Sequence, residues 1–238
     1  MEKIEGNGIT KIKDYFKDWN TFEKTYLFGG LILSILSTII FKGSIISTIY
    51  TITYLTNAIL SSKGKVESYI FGFIGVFFYG IISYSQKYYG EILISIVLSI
   101  PIMIIGVISW FKNRDKASDV IIINTLSKTE ITIAILSQVF MFFGYYYLLK
   151  YFNTSELIVS ALSIVASTLA IYFGARRSEI CYYFYIINDF IIITLWLIPI
   201  FQGNTPLVSV LMGPLLLFIN DIYGVYNWNK LKKEQNTR

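Results

Sequence analysis

Histidine is absent from this chain of 238 residues, and cysteine occurs once, at Cys181. Without histidine, a His-ligated metal site, a Ser-His-Asp or Cys-His catalytic apparatus and a histidine proton relay are all excluded. One cysteine excludes an internal disulfide framework. The chain also lacks a GxxxxGK[ST] motif, so it has no P-loop of its own for ATP-driven pumping.

Charge is also scarce, since charged residues make up only 15% of the chain while 55% is hydrophobic and the mean hydropathy is +0.60. A soluble domain is usually about a quarter charged, and the composition therefore predicts a polytopic membrane protein. Runs of ~20 apolar residues can cross a bilayer as helices. Such runs are predicted at 25–43, 44–61, 67–85, 90–111, 129–150, 155–173, 179–201 and 206–228.

The few basic residues separate by membrane side when eight spans are assumed. Seventeen of the 20 Lys and Arg residues then fall in one set of segments, and only Lys42, Lys87 and Lys150 fall in the other. Cytoplasmic loops carry the excess of Lys and Arg. We therefore expect both termini in the cytoplasm, with a cytoplasmic segment at 1–24 and a basic tail at 229–238. The net charge of +5 follows from topology and does not indicate a nucleic-acid partner.

The ends of two spans repeat each other. The segments 106–112 and 224–230 share the pattern G-V-x-x-W-x-K. This predicts two parallel three-helix repeats, 44–111 and 155–228, separated by a cytoplasmic loop and linking helix at 112–154. Transporters with such repeats bind substrate between them. A coincidence of Gly and Trp at helix ends is the alternative. Trp110 and Trp228 lie at the predicted membrane interface, so we expect them to be aromatic anchors there.

Two Asn-Asp pairs lie inside the last two spans, at 188–189 and 220–221. An ionisable side chain at such depth costs about 2.5–3.5 kcal/mol, so it normally faces a cavity or a partner. Hydrogen bonding between helices is the alternative reading of these pairs. Helical spacing groups other polar and aromatic side chains with them. The predicted substrate-binding residues are Asn57, Tyr69, Tyr79, Ser95, Tyr182, Tyr185, Asn188, Asp189, Trp196, Asn220, Asp221 and Tyr223.

Aromatic residues are abundant, with 19 Tyr and 18 Phe. Aromatic faces with hydroxyl tips suit a flat heterocycle through stacking and hydrogen bonding, and they favour a cation above the ring. The predicted spans contain no Arg or Lys in their interiors to bind an anion. The predicted substrate is therefore an uncharged or cationic molecule that carries hydroxyl groups.

The order and spacing of several motifs resemble the PnuC family of bacterial vitamin transporters over about 44–230. The first half carries Y-I-F-G-F-I-G-V-F-F-Y-G at 69–80, Tyr84, K-Y-Y-G-E at 87–91 and Gly106…Trp110, and the second half carries Asp189 and Gly224…Trp228. The resemblance implies an all-α membrane fold of about eight transmembrane helices, with a SWEET-like core of three helices, a linking helix and three helices, preceded here by one additional N-terminal helix.

The resemblance also implies facilitated diffusion of nicotinamide riboside by alternating access, with no coupling to ions or ATP and with the substrate trapped inside by phosphorylation. Similar transporters carry thiamine, riboflavin or deoxynucleosides. Family members commonly have Trp at the positions of Tyr69, Tyr182 and Tyr185, and Gln at the position of Ser95. The loss of that amide changes the hydrogen-bonding pattern and bears on which of these substrates is carried.

Three alternatives compete with a passive transporter. The chain could couple transport to an ion through Asp189 or Asp221, it could use the same two carboxyls as an intramembrane enzyme, or it could be a structural subunit. We predict no enzymatic activity, no cofactor and no metal site. The expected partners are a small-molecule substrate, the lipid bilayer of the bacterial inner membrane and further copies of the chain as a homo-oligomer.

Overall fold

The computed structural model describes residues 15–116 and 118–237, and in these ranges the chain is almost entirely helical. The helices are α1 (Thr21–Ile40), α2 (Ile45–Ser62), α3 (Ser68–Ser85), α4 (Tyr89–Ile92), α5 (Ile100–Lys112), α6 (Lys128–Tyr151), α7 (Leu157–Ala175), α8 (Ile180–Phe201) and α9 (Val208–Asn236). A π-helix, Leu93–Ser99, joins α4 to α5, and a 3₁₀ turn, Thr205–Leu207, precedes α9. Two short strands, β1 (Arg114–Asp115) and β2 (Val120–Ile121), pair antiparallel after α5.

Eight long helical segments are present in the described part of the chain, as the sequence predicts, because α4, the π-helix and α5 run on as one. Seven of them are long and apolar enough to cross a membrane. The eighth, α2, has 18 residues but is rich in Ser, Thr and Tyr. Half of its residues are buried against other helices, and hydroxyls such as those of Thr53 and Thr56 donate to carbonyls of their own helix. Its low hydropathy therefore reflects contact with protein more than contact with lipid.

Six of the eight predicted spans begin and end within two residues of a helix. The first begins four residues after α1 does, and the largest difference lies at the C-terminus. The last helix continues to Asn236, so most of the predicted tail at 229–238 is helical. At the other terminus, residues 1–14 of the predicted segment 1–24 lie outside the described residues.

Local sequence explains where the helices begin and end. Asn20 forms a capping box with Glu23, while Ser44 and Ser127 each accept a hydrogen bond from the backbone N–H three residues later. These side chains satisfy N–H groups that have no partner within the helix. Several helices are followed, two positions after their last residue, by a residue with positive φ, and of these Gly64 and Asn153 are of types that adopt this conformation readily.

The helices pack as two sets, and each set also has helices that pack against the other set. We call α2, α3 and the α4–α5 segment the first trio, and α7, α8 and α9 the second trio. The first helix of each trio packs against the last helix of the other, α2 on α9 and α7 on α5 with the π-helix. The linking helix α6 packs on α7, while α1 packs outside the trios on α2 and α9. Each trio therefore contributes a wall to the space between them.

Small residues allow helices of different trios to approach each other closely. The hydroxyls of Ser47 on α2 and Ser209 on α9 lie 2.8 Å apart. A Cβ atom added to Gly213 would lie 2.7 Å from the ring of Tyr50, so only glycine fits beneath this tyrosine. On α7, Ser160, Ala161 and other small residues are fully buried. Small side chains at helix interfaces are how helices approach each other in lipid.

The repeated tryptophans hold equivalent positions in the two contacts between the trios, α5 with α7 and α9 with α2. Trp110 at the end of α5 donates its indole N–H to the carbonyl of Gly174 on α7, at 2.8 Å. Trp228 on α9 donates in the same way to the carbonyl of Ser61 on α2, at 3.1 Å. Both rings are buried, and their centroids lie 5.6 Å apart. The expectation that they anchor the chain in the membrane interface is therefore wrong, because they join the two trios inside the protein.

A feature that the sequence pattern did not predict is the fold of the loop after α5. Its β2 strand ends at Ile121, which is fully buried and donates its backbone N–H to the carbonyl of Gly64, at 3.0 Å. Three residues later the N–H of Asn124 donates to the carbonyl of Arg177, at 2.8 Å. The loop therefore contacts the ends of α2 and α7 together.

Candidate substrate site

A cavity of about 170 Å³ lies between the two trios. Its wall combines side chains from α2 and α3, from the α4–α5 segment, and from α7, α8 and α9. Nine of the predicted site residues line it: Asn57, Tyr69, Tyr79, Ser95, Tyr182, Tyr185, Asn188, Asp189 and Asp221. The structure thus brings residues from both halves of the sequence into one space.

Three predicted residues lie outside the cavity wall. Trp196 is fully buried behind it and donates its indole N–H to the hydroxyl of Tyr79, at 3.3 Å. Asn220 faces α2, where it accepts from Ser62, and its amide donates to Asp221. Tyr223 faces α1 and donates to Glu23, at 2.8 Å. Trp196 and Asn220 support residues of the wall, whereas Tyr223 attaches the additional N-terminal helix.

The centre of the site is a pair of carboxyl groups from neighbouring helices. Asp189 on α8 and Asp221 on α9 are close enough to interact directly, and both are buried. The Oδ2 atom of Asp189 has no hydrogen-bond partner among the described residues. A buried acceptor without a partner is costly, so this oxygen is suited to receive a donor or a cation from a ligand.

Amide and hydroxyl groups surround the carboxyl pair. Asn188 on α8 accepts from Ser167 on α7 at 2.7 Å, which fixes its amide against the wall. Across the cavity Asn57 on α2 donates to the carbonyl of Ser68 at 2.8 Å. Ser95 belongs to the π-helix and is buried in the same wall. Neighbouring groups therefore hold these amides in place, which is the arrangement expected for a selective small-molecule site.

Aromatic side chains form the two ends of the cavity. At one end Tyr182 packs against Trp228 with ring centroids 5.2 Å apart, and Tyr69 packs against Trp110 at 5.0 Å. At the other end Tyr79 stacks on Tyr50 with centroids 5.1 Å apart. Rings at both ends can contact a flat heterocycle, with hydroxyl tips available to a sugar or alcohol.

Close approach to glycine positions the tyrosines at the first end. A Cβ atom added to Gly224 would lie 2.1 Å from Cε1 of Tyr182, and one added to Gly106 would lie 2.2 Å from the hydroxyl oxygen of Tyr69. These are the glycines of the repeated G-V-x-x-W-x-K pattern. The motif therefore supplies both the space for a cavity tyrosine and the tryptophan that packs on it.

Several wall residues were not in the predicted set, chiefly Glu91, Tyr50, Tyr54 and Ser99. Sequence position alone placed Glu91 at a span end, where water could solvate it, yet it is almost fully buried. Two signals could have identified these residues. Tyr50, Tyr54 and Asn57 follow the i, i+4, i+7 spacing of one helix face, and Glu91 lies in a motif of the family resemblance.

The cavity lining contains three carboxyl side chains, those of Glu91, Asp189 and Asp221, and the described residues contribute no Lys or Arg to it. The described residues also hold no cluster of His, Cys, Asp and Glu arranged to bind a metal ion. The site is therefore lined by acidic and aromatic side chains, which suits a neutral or cationic organic molecule.

Comparisons with known proteins agree with this architecture. A nicotinamide riboside transporter PnuC from Neisseria mucosa is 22% identical over 228 residues, covering 94% of this chain and 87% of that protein. The protein of the same name from Haemophilus influenzae is 24% identical over 227 residues, covering 94% and 96%. A crystal structure of the vitamin B3 transporter PnuC superposes with a TM-score of 0.81 at 24% identity, covering 96% of this chain and 99% of that one.

The family model for the nicotinamide mononucleotide transporter matches residues 44–230. This range begins just before α2 and ends in α9, so it includes both trios, the linking helix and every residue of the cavity wall, and leaves out α1. The chain belongs to the nicotinamide mononucleotide transporter family of membrane transporters.

Proposed function

We propose that this transporter carries nicotinamide riboside across the cytoplasmic membrane of a bacterium by facilitated diffusion. The observation that supports this most strongly is the composition of the cavity, in which aromatic rings surround interacting carboxyls and no basic side chain is present among the described residues. Nicotinamide riboside is a cationic aromatic heterocycle bearing ribose hydroxyls. Its ring would stack on the tyrosines, and its charge would be balanced by Asp189 and Asp221.

The same chemistry favours the riboside over the mononucleotide that gives the family its name. A phosphate group adds negative charge, and it would enter a cavity lined by Glu91, Asp189 and Asp221. Like charges in a poorly solvated site repel strongly. Phosphorylation in the cytoplasm would therefore convert a substrate that fits into a product that does not, and this would trap it inside.

Thiamine is the second candidate, because it is also a cationic heterocycle with a hydroxyl group. Ser95 bears on the choice between the two, since its short hydroxyl replaces the amide that is common at this position in the family. Riboflavin and deoxynucleosides lack the positive charge for which the carboxyl pair is suited. The distribution of Lys and Arg supports an orientation with both termini in the cytoplasm.

Ligand-dependent stability of the purified protein tests the choice of substrate. A ligand that binds only the folded state raises the midpoint of thermal unfolding in proportion to the logarithm of its concentration over Kd. We expect nicotinamide riboside to raise the midpoint and nicotinamide mononucleotide at equal concentration to leave it unchanged. A shift with thiamine alone would transfer the assignment to thiamine, and a shift with the mononucleotide would contradict the electrostatic argument.

A further inference from the structure

Glu91 lies at the point where helices of both trios meet around one end of the cavity. Its Oε2 atom accepts a hydrogen bond from the hydroxyl of Tyr79 on α3, at 3.0 Å. Its Oε1 atom accepts from the hydroxyl of Ser163 on α7. Because Tyr79 also accepts from the indole of Trp196 on α8, a continuous chain of hydrogen bonds joins the two trios through this carboxylate.

The surrounding residues make this junction tight. We call Tyr79, Glu91, Ser163 and Trp196 the outer seal. Tyr88, just before Glu91, packs on Trp196 with ring centroids 5.3 Å apart and donates its hydroxyl to the carbonyl of Leu195 at 3.1 Å. The members of the outer seal and Tyr88 are all buried. The seal therefore closes the cavity with polar bonds inside an apolar cluster.

Glycine brings Glu91 within reach of the second trio. A Cβ atom added to Gly90 would lie 2.8 Å from Cβ of Ser160 on α7 and 3.1 Å from its carbonyl oxygen. Any larger residue would push α4 away from α7 and would separate Glu91 from Ser163. The position of the carboxylate is thus a consequence of helix packing between the trios.

The location of the seal identifies the side that it closes. It lies at the end of α3 and the beginning of α4, next to the loop that carries the exposed Lys87. The charge distribution assigns this loop to the outside. At the opposite end of the cavity, Trp110 and Trp228 connect the two trios. In this structure the two trios are therefore connected at both ends of the cavity, by different chemistry at each.

From this geometry we propose that Glu91 is the positioning residue of an outer gate, which must release Tyr79 and Ser163 before substrate can enter from outside. The proposal rests on the proposed alternating-access transport. Once the trios separate, the carboxylate loses both donors and faces the entry path, where a cationic substrate can replace them. A hydrogen bond to a charged group is stronger than one between neutral groups. Weakening the bonds from Tyr79 and Ser163 to Glu91 should therefore shift the equilibrium from the closed state toward the open state.

The native Cys181 provides a reporter that needs no substrate. It is the one cysteine of the chain, it lines the cavity and it is buried. A membrane-impermeant thiol reagent reaches it only when one end of the cavity opens. In right-side-out vesicles Glu91→Gln is expected to raise the rate of Cys181 modification about tenfold, which corresponds to ~1.4 kcal/mol. In inverted vesicles the rate should stay the same or fall.

Controls separate gating from loss of structure. Glu156→Gln makes the same chemical change at an exposed position near the same membrane side, and it should leave the rate unchanged in both orientations. Cys181→Ala should abolish the signal. Ser163→Ala removes one donor while retaining the carboxylate, so it should give a smaller increase from the outside only.

The possible results either support the proposal or overturn it. An increase confined to the outer side supports the gate. An equal increase from both sides would mean that Glu91→Gln loosens the whole fold, and no increase would mean that the carboxylate does not hold the gate; either result overturns the proposal. Failure of nicotinamide riboside to stabilise the protein would instead affect the proposed substrate and leave this result standing.

Discussion

At the scale of single residues, the proposed substrate selection depends on the carboxyl pair. Asp189 presents a buried oxygen that has no hydrogen-bond partner in the part of the chain that the structure describes, next to Asp221. Asp189→Asn keeps the shape of the side chain and removes its ability to carry a negative charge opposite a cationic substrate. Since a hydrogen bond to a charged group is worth ~1.5–3 kcal/mol, the affinity for a cationic substrate should fall about 10- to 100-fold.

The measurement for Asp189→Asn is binding of nicotinamide riboside to the purified variant, with membrane insertion checked separately. Asp119→Asn is the matched control, because Asp119 lies in the loop after α5 with about half of its side chain exposed and pairs with Arg114. The control should bind as the original chain does. Unchanged binding by Asp189→Asn would remove this residue from the site.

The sequence predicts that Asp189 and Asp221 face a cavity because an aspartate deep in an apolar run has few explanations, and both residues line the cavity. The sequence is less informative about the direction in which each side chain points. Trp196 shares a helix face with Tyr182, but 14 residues later it lies about 21 Å along the axis, beyond the end of the cavity. Neighbouring Asn220 and Asp221 point about 100° apart, so only Asp221 lines the cavity. Tyr223 faces α1, whose position outside the trios no local pattern reveals.

At the scale of helices, two glycines decide where the cavity tyrosines lie. A methyl group at position 224 would collide with the ring of Tyr182, which is fully buried and cannot move aside freely. Gly224→Ala should therefore lower the free energy of unfolding by about 1–3 kcal/mol, the usual cost of an overpacked core, and should reduce uptake. Thermal unfolding in detergent and uptake measure the two effects.

Gly144 provides a control of opposite sign. It lies in α6, and a Cβ atom there would have no neighbour within 4 Å. Gly144→Ala should stabilise the protein by about 0.5–1 kcal/mol, because alanine lowers the backbone entropy of the unfolded chain. Uptake should be unchanged. If Gly224→Ala behaved like Gly144→Ala, the contact between Gly224 and Tyr182 would not matter for the site.

The π-helix shows what sequence patterns miss at this scale. Pro101 lacks a backbone N–H, so the regular helical hydrogen bond that it would donate cannot form. The preceding turn, Leu93–Ser99, widens, and the hydroxyl of Ser99 donates to the carbonyl of Ile94 at 2.6 Å. Proline in the sequence predicts a disturbance of the span. Only the structure shows that the wider turn places Ser95 and Ser99 in the cavity wall.

At the scale of the whole molecule, the eight-helix membrane fold could be predicted because the length of apolar runs and the placement of basic residues are imposed by the bilayer. The pairing of α2 with α9 and of α7 with α5 is decided by contacts between distant segments. The repeated tryptophans bond across these pairs, which supports the proposal that the trios are equivalent repeats. Their equivalence would let one trio rock against the other around a fixed site.

Uptake into proteoliposomes tests directly whether this chain carries nicotinamide riboside by facilitated diffusion. The purified chain is reconstituted without any ion gradient, and labelled nicotinamide riboside is supplied outside, with thiamine, a deoxynucleoside and nicotinamide mononucleotide as unlabelled competitors. We expect saturable uptake that stops when the inner and outer concentrations of nicotinamide riboside are equal. Nicotinamide mononucleotide should not inhibit this uptake. Uptake only after a proton or sodium gradient is imposed would contradict facilitated diffusion, and the buried aspartates would then be the sites of ion coupling.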